Sequence, residues 1–267
     1  MTPRILPNIS NELLLAWDQC DRVGVVLVSP RNPLNIGAAA RAMANFGFSR
    51  LAVVAPYEPH WREARSAVGA PELLAEAKQT QGLSEAIAGC TLVLGTGTLT
   101  HRKPEQRVVR LPDLAPLVAA ELERGGSVAL VFGPEKHGLT RDDLSYCRLL
   151  VEIPTDVRQP SMNLGQAVAV CLYELASRVQ PDAQPATDIG PLQHGNLADG
   201  AAADAETLEL VAGVVEQVME AAHYSPATMR EANRHDLRLM LRRLAPGRKD
   251  ARRILGLFRR ILWRLQR

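Results

Sequence analysis

The segment Val128-Ala-Leu-Val-Phe-Gly-Pro-Glu-Lys-His-Gly-Leu-Thr140 decides how this chain is interpreted. Its apolar run, Val128 to Phe132, stops at Gly133-Pro134, and a single acid, Glu135, follows. Glycine supplies backbone freedom and proline fixes φ, so the pattern is typical of a buried strand entering a tight loop. Loops at the carboxyl ends of parallel strands are where α/β proteins bind ligands. The sequence therefore predicts a carboxylate beside a ligand site.

Short apolar runs alternate with helix-like segments over the first two thirds of the chain. The predicted strands are Val23–Val28, Leu51–Val54, Leu92–Leu94, Val128–Phe132 and Leu149–Ile153. The predicted helices are Asn35–Phe46 (with Asn35 as its cap), Pro71–Lys78, Leu83–Ala88, Leu114–Arg124 and Leu164–Arg178. This alternation predicts an α/β fold, with a parallel sheet and helices on both of its faces.

The C-terminal third changes character. Residues 181–205 contain three prolines and no Lys or Arg, which is typical of a flexible acidic linker. Helical patterns follow at Ala205–His223, Thr228–Leu244 and Asp250–Leu265. We therefore expect an N-terminal extension (1–21), an α/β domain (22–180), the linker (181–205) and a small basic helical extension (206–267).

Charge is distributed unevenly along the chain. Residues 230–267 carry thirteen Lys/Arg against three acids, a net +10, whereas residues 1–229 sum to −8. Such a split favours a polyanionic partner for the C-terminal helices. The alternatives are a solvated amphipathic helix and a basic helix that packs against the acidic body.

Composition excludes several classes of protein. The hydrophobic content of 46% is that of a globular protein, and no apolar run approaches the roughly 18–20 residues of a membrane span. Without a signal-peptide pattern at the N-terminus, a cytoplasmic protein is expected. The four cysteines are dispersed and form no CxxC, which argues against a zinc site or a disulfide framework.

Two more segments carry polar groups at strand-to-helix transitions. The first, Asn32-Pro-Leu-Asn-Ile-Gly-Ala-Ala-Ala-Arg41, combines amides with a guanidinium, a combination that suits phosphate or ribose recognition. The second runs from Ile153 to Ala167 and carries Ser161 and Asn163 before a helix. Taken alone, each is also typical of an ordinary helix start. A basic loop, His101–Arg107, indicates either an RNA phosphate contact or a solvated loop.

Together the three motifs resemble the SpoU–TrmH family of RNA ribose 2′-O-methyltransferases, in the SPOUT superfamily. The matching patterns are Asn-x-Gly-x-x-x-Arg at 35–41, Phe-Gly-Pro-Glu-x-x-Gly-Leu-Thr at 132–140 and Ile-Pro…Ser-x-Asn-Leu at 153–164. Their order and spacing both match, over about residues 22–178. The basic helical extension after an acidic linker makes the chain most similar to the TrmJ branch, whose members act on nucleotide 32 of the tRNA anticodon loop.

The resemblance implies a deep trefoil knot at the C-terminal end of the α/β domain and a homodimer whose sites are completed by the partner. It implies S-adenosylmethionine as cofactor and tRNA as partner. No metal is expected, because the cysteines and histidines form no metal-spaced pair. The cofactor-binding positions would be Thr96, Gly97, Thr98, Gly133, Ile153, Pro160, Ser161 and Met162. RNA contacts are expected at Arg41 from the resemblance, at Arg102, Lys103 and Arg107 from the basic loop, and at Arg242 and Arg243 from the basic extension.

The resemblance also implies the catalytic residues, which are Arg41, Asn35, Glu135, Ser161 and Asn163. An arginine with a pKa above about 12 is not an ordinary base. Arg41 would therefore grip the phosphate beside the target ribose, and that phosphate or a perturbed guanidinium would take the proton. Asn35 would orient the ribose, and Glu135 would hold Arg41 or the loop. Ser161 and Asn163 would fix the knot and the 2′-oxygen.

Three alternatives stay open at this point. One is a 2′-O-methyltransferase for another tRNA position or for rRNA, and another is a non-catalytic RNA-binding homologue. The third, a generic nucleotide-binding α/β enzyme, is disfavoured because the chain lacks G-x-G-x-x-G and GxxxxGK[ST]. The sequence does not distinguish cytidine from uridine as the target.

Overall fold

The computed structural model describes residues 17–97, 104–178 and 202–267. Seven strands form one sheet in the order β3-β2-β1-β6-β4-β7-β5, and every neighbouring pair is parallel. The strands are β1 (Val23–Val28), β2 (Arg50–Val54), β3 (Lys78–Thr80), β4 (Leu92–Thr96), β5 (Arg107–Arg110), β6 (Val128–Phe132) and β7 (Leu149–Glu152). The predicted parallel sheet is confirmed.

Helices connect the strands and follow the sheet. They are α1 (Trp17–Cys20), α2 (Pro33–Asn45), α3 (Pro71–Glu76), α4 (Leu83–Ala86), α5 (Ala115–Glu123), α6 (Arg141–Ser145), α7 (Leu164–Arg178), α8 (Ala205–Ala221), α9 (Arg230–Leu244) and α10 (Arg248–Leu265). Short 3₁₀ turns lie at Trp61–Glu63, Leu111–Asp113 and Ala227–Met229. No helix in these described ranges combines the length and the apolarity needed to cross a membrane.

Alternate residues of each central strand face opposite sides of the sheet. On one side Val25 and Leu27 join a core with α2, α5 and α7. On the other side Val26 and Val28 pack with α4 and the segment around α6. The predicted placement of helices on both faces is therefore confirmed.

Two edge strands were missed by the sequence analysis. Lys78–Thr80 and Arg107–Arg110 are mostly exposed, and neither contains the apolar run that marks a buried strand. Lys78 was predicted at the end of a helix, but α3 ends at Glu76 and Lys78 begins β3. Strand pairing at an edge depends on the neighbouring backbone, which leaves little trace in local hydrophobicity.

The three C-terminal helices have a small core of their own. Leu208 and Val211 of α8 pack with Leu237 and Leu241 of α9 and with Ala251 of α10. This unit is docked on the sheet domain because the first turn of α8 donates two backbone hydrogen bonds to the turn between α4 and β4, to Cys90 O and Ala88 O, both at 2.9 Å. Most of the predicted N-terminal extension and linker lies outside the described residues, so the proposed boundaries remain predictions.

All four cysteines are buried and unbridged. Burial raises the pKa of the Cys147 thiol to about 12 and likewise that of Cys171 to about 12. Such thiols remain protonated near neutral pH, as expected for cysteines that pack in a core.

Candidate active site

The polar motifs meet at the carboxyl edge of the sheet. The loop after β1 leads into α2, the loop after β6 runs from Gly133 to Thr140, and the loop after β7 leads into α7. Because β1, β6, β4 and β7 are consecutive neighbours in the sheet, their following loops lie side by side. This is the edge where parallel sheets bind ligands.

The loop after β6 is a tight, self-bonded turn. Gly138 donates its backbone N–H to Pro134 O at 2.8 Å and adopts a left-handed φ of 64°. A Cβ at Gly133 would lie 2.2 Å from Leu139 N, so only glycine fits there. Thr140 ends the loop in a reciprocal capping box with Asp143 at the start of α6.

Glu135 joins the loop after β6 to the loop after β1. Its carboxylate accepts hydrogen bonds from Arg31 N at 3.1 Å, Asn32 N at 3.3 Å and the side-chain amide of Asn35 at 2.7 Å. Partial burial raises the pKa of Glu135, but the bonds from Asn35 and from backbone N–H groups outweigh it and hold the pKa below its ordinary value. Glu135 was predicted to hold either Arg41 or a loop. In the structure it contacts the loop after β1 and not Arg41.

Asn35 links Glu135 to the third motif. Its side-chain oxygen accepts a hydrogen bond from the amide of Asn163 at 2.9 Å. Asn163 in turn caps α7, because its side-chain oxygen accepts from Gly165 N at 2.9 Å and from Gln166 N at 3.3 Å. A continuous chain, Glu135–Asn35–Asn163, thus ties the three loops together.

The predicted cap of α2 was wrong. Asn32, not Asn35, caps the helix, because the Asn32 side chain accepts from Leu34 N and the helix begins at Pro33. Asn35 lies inside the first turn, where its side chain is directed at Glu135 and Asn163. Proline at the first helical position moves the start two residues upstream of the sequence estimate.

Arg41 lies two turns further along α2 and is exposed. Within the described part of the chain its side chain makes no hydrogen bond and no ion pair. Ser161 is exposed as well, and the same holds for its hydroxyl. Both groups are therefore available to a ligand, whereas the two ends of the Asn35 amide are already engaged.

A cavity of about 580 Å³ lies between the loops after β4, β6 and β7. This volume is within the roughly 300–1,000 Å³ typical of small-molecule sites. Seven of the eight predicted cofactor positions line it: Thr96, Gly97, Gly133, Ile153, Pro160, Ser161 and Met162. The eighth, Thr98, lies outside the described residues.

Comparison with known proteins identifies the family of this chain. Residues 22–173, more than half of the chain, match the SpoU rRNA methylase family. The chain belongs to this family. The family that the three motifs predicted is therefore confirmed.

The similar SpoU-family proteins include several TrmJ enzymes. A TrmJ of Pseudomonas aeruginosa, named as a tRNA (cytidine/uridine/adenosine-2′-O-)-methyltransferase, is 43% identical over 156 residues, which are 58% of this chain and 60% of that protein. A TrmJ of Methanocaldococcus jannaschii, named as a tRNA (cytidine-2′-O-)-methyltransferase, is 38% identical over 58% of this chain and 68% of that protein. The chain thus matches about three fifths of the length of the Pseudomonas relative.

Solved structures agree with this placement. The crystal structure of TrmJ from Z. mobilis superposes with a TM-score of 0.74 at 29% identity, covering 89% of this chain and 98% of that one. A putative methylase family protein from Neisseria gonorrhoeae gives a TM-score of 0.57 at 26% identity, covering 84% of this chain and all of that one. The similarity to TrmJ proteins confirms the predicted branch of the SpoU family.

The predicted RNA-binding arginines of the C-terminal helices separate into two groups. Arg243 is exposed, but Arg242 is only 6% exposed and pairs with Glu209 at 3.4 Å. The prediction that Arg242 contacts RNA is therefore wrong for this structure, because a buried and paired guanidinium cannot reach a phosphate. Arg107 is exposed at the start of β5, whereas Arg102 and Lys103 fall outside the described residues.

Helix α9 directs much of its charge at α8. Arg230 pairs with Glu220 at 2.6 Å, and Arg234 pairs with Glu216 at 2.7 Å. Arg238 bridges the unit to α6 through Asp142 at 2.8 Å. For α9, the alternative of a basic helix packed on acidic neighbours is the one that the structure shows.

Two charged residues of the cavity were missed by the sequence analysis. Arg110 of β5 and Glu152 of β7 are paired in strand register, and both line the cavity. No local motif marks either residue, since their approach depends on the pairing of an unpredicted edge strand. The one available signal was the position of Glu152 at the carboxyl end of a predicted strand.

Proposed function

We propose that this SpoU-family protein is an S-adenosylmethionine-dependent tRNA ribose 2′-O-methyltransferase that acts on cytidine or uridine 32 of the anticodon loop. The observation that carries the proposal is the Glu135–Asn35–Asn163 chain. It joins the three family motifs beside a cavity lined by the expected cofactor residues. The names of the TrmJ relatives support tRNA as the substrate.

The cavity fits the proposed cofactor. Apolar groups of Phe132, Ile153 and Met162 line it together with the backbone at Gly133, a combination that suits a nucleoside. Glu152 and Arg110 offer charges complementary to an amino-acid ammonium and carboxylate. S-adenosylmethionine, when bound, supplies a methyl carbon activated by a positive sulfur.

Arg41 has the chemistry to hold the RNA for methyl transfer. Its exposed guanidinium, without an internal partner in the described structure, can form a bidentate pair with the phosphate beside the target ribose. Such a grip aligns the 2′-hydroxyl, and alignment alone is worth on the order of 7–11 kcal/mol in well-oriented reactions. The phosphate, or the guanidinium in a perturbed state, receives the hydroxyl proton.

The other predicted catalytic residues have different roles in this proposal. Ser161 contributes its available hydroxyl to the 2′-oxygen or the cofactor. Asn35, Glu135 and Asn163 act as positioning residues, because their polar atoms bond one another and the loop backbones. They fix the loop after β6 and the start of α7 on either side of the reacting atoms.

The RNA-binding surface in this proposal is provided by α10, Arg243 and the segment around Arg107. The arginines of α10 and of the residues just after it are all exposed, namely Arg248, Arg252, Arg253, Arg259, Arg260, Arg264 and Arg267. Phosphate contacts by such a set release counterions, so binding weakens steeply as salt rises. The helical unit 206–267 would act as the RNA-binding extension, joined by the linker 181–205 to the domain 22–180.

The proposal includes the knot, the homodimer and a cytoplasmic location. Family membership supports a trefoil knot formed by the loops after β6 and β7. An exposed apolar surface on the α2–α7 side, with Leu34 54%, Val170 37% and Tyr173 58% exposed, supports pairing of two copies beside Arg41. Sedimentation at micromolar concentration tests the dimer, and a monomeric mass would contradict it.

The activity is tested by transfer of labelled methyl from S-adenosylmethionine to unmodified tRNA. Mapping of the product should place the label at nucleotide 32, and tRNA carrying a 2′-deoxy residue there should accept none. Arg41→Lys keeps the charge but loses the fork, so methylation should fall by about 100-fold, the cost of losing one positioned donor. Arg50→Lys is the matched control, because Arg50 is the first residue of β2 and lies at the amino ends of the strands, away from the cavity. Near-full activity of Arg41→Lys would exclude the proposed role.

A further inference from the structure

Two neighbouring strands end in the same unusual way. After β1 the chain reads Val28-Ser-Pro-Arg31, and after β2 it reads Val54-Ala-Pro-Tyr57. Ser29 and Ala55 both have left-handed backbones, with φ of 44° and 41°. That region is unfavourable for residues with a Cβ, and the following proline restricts the backbone further. Such conformations persist only where the surroundings enforce them.

Backbone hydrogen bonds enforce these two turns. Ser29 N donates to Val54 O at 2.8 Å, and Ala55 N donates to Thr80 O at 2.8 Å, so each turn is bonded to the end of the adjacent strand. Tyr57 N then donates to Pro30 O at 3.2 Å and joins the second turn to the first. The repeated turn therefore fixes where the residues after the two prolines lie.

The result is an arginine–tyrosine pair on the surface. The Arg31 guanidinium lies 5.5 Å from the centroid of the Tyr57 ring, and Tyr57 is 70% exposed. Packing does not explain this ring, because most of its surface faces solvent. Arg31 has no ion pair within the described residues, so its charge is available to a ligand.

The pair adjoins the candidate active site. Arg31 N is hydrogen-bonded to Glu135 at 3.1 Å, so the pair is one residue from the Glu135–Asn35–Asn163 chain. Aromatic residues make up only 4% of the chain, so an exposed aromatic ring beside the candidate active site is uncommon in this sequence. Unpaired bases of RNA loops are recognised by stacking on aromatic rings and on arginine planes.

We propose that Arg31 and Tyr57 form a stacking platform for a nucleobase of the anticodon loop beside the methylated nucleotide. This inference rests on the proposed function. The Tyr57 ring receives the base on its open surface, and the Arg31 guanidinium contacts the adjoining phosphate. The rigid, strained turns hold the platform in place before RNA arrives, which reduces the entropy lost on binding.

Two substitutions at position 57 separate ring chemistry from bulk. Tyr57→Phe keeps the ring and should bind unmodified tRNA within about two-fold of wild type, whereas Tyr57→Leu should bind about ten-fold more weakly, a typical cost of one lost stack. Methylation should fall in parallel through kcat/KM. Arg31→Gln should lower the slope of log affinity against log salt by about one, as for one lost phosphate contact. Affinity for S-adenosylmethionine and Tm should match wild type in all three variants.

Several results would overturn the platform. Unchanged tRNA affinity in Tyr57→Leu would do so, and so would equal losses in Tyr57→Phe and Tyr57→Leu. A change in oligomeric mass on sedimentation would show instead that Tyr57 contacts a second copy of the chain. Methylation by wild type together with an unaffected Tyr57→Leu would reject the platform alone. Absence of methylation by wild type would reject the proposed function, while the binding measurements would still decide the platform.

Discussion

Replacement of Gly133 by alanine tests the geometry of the loop after β6. A Cβ at this position would lie 2.2 Å from Leu139 N and 2.3 Å from the carbonyl carbon of Gly138. Both atoms belong to the backbone, so rotation of a side chain cannot relieve the clash. To reach an ordinary contact of 3.4 Å, the segment must shift by about 1.2 Å.

The expected cost of Gly133→Ala follows from that shift. Overpacking of this kind typically costs about 1–3 kcal/mol, and in a protein of this size each kcal/mol lowers Tm by roughly 2–4 °C. We therefore expect Tm to fall by roughly 2–12 °C. A displacement of about 1 Å near the reacting atoms also costs on the order of 100-fold in activity.

Thermal unfolding and labelled methyl transfer measure these two effects, and calorimetric titration with S-adenosylmethionine measures cofactor binding in the same variant. Gly89→Ala is the matched control, because a Cβ there would meet nothing within 4 Å and Gly89 lies away from the cavity. A Gly133→Ala protein with wild-type Tm and wild-type cofactor affinity would refute the close approach of Gly133 to Leu139.

The remaining predictions concern charge. Arg242→Ala should lower stability by about 1–3 kcal/mol, because it leaves a buried gap beside Glu209, whose carboxylate keeps Arg238 as a partner. Arg243→Ala, one residue further, should leave Tm unchanged but weaken tRNA binding and reduce its salt slope by about one; the reverse pattern in denaturation and binding assays would contradict the assignment. The pKa of Glu135 is lowered in the folded state, so its contribution is complete above about pH 4.5 and is lost as pH falls through the folded value. The difference in free energy of unfolding between wild type and Glu135→Gln, below about 1 kcal/mol because the group is exposed, should therefore vanish in acid; a difference that grows in acid would reverse the sign.

Much of the fold could be predicted because the core strands are continuous apolar runs. Val23–Val28 and Val128–Phe132 were bounded correctly, since strands buried on both faces contrast sharply with the loops that follow. The edge strands β3 and β5 could not be predicted in this way. Most of their residues are polar or exposed, and they become strands only because a neighbour offers unpaired backbone groups.

The candidate site shows the same division. Asn35, Glu135 and Asn163 were identified from three separate motifs, but their mutual bonds were not. The sequence did not decide whether Glu135 contacts Arg41 or a loop, and in the structure Glu135 contacts the loop after β1. Likewise the net charge of residues 230–267 predicted a basic extension, and the acidic partners on α8 became apparent only when the helices packed.

The sequence by itself determined the class of fold, the family and the residues of the three motifs, because these depend on local composition and spacing. The tertiary structure alone decided that Asn35 bridges Glu135 and Asn163 and that Arg242 is buried. It alone decided that the turns after β1 and β2 bring Arg31 to Tyr57. The physical reason is that hydrogen bonds and burial depend on distances between residues far apart in the chain. Those distances are set by which strands pair and which helices pack.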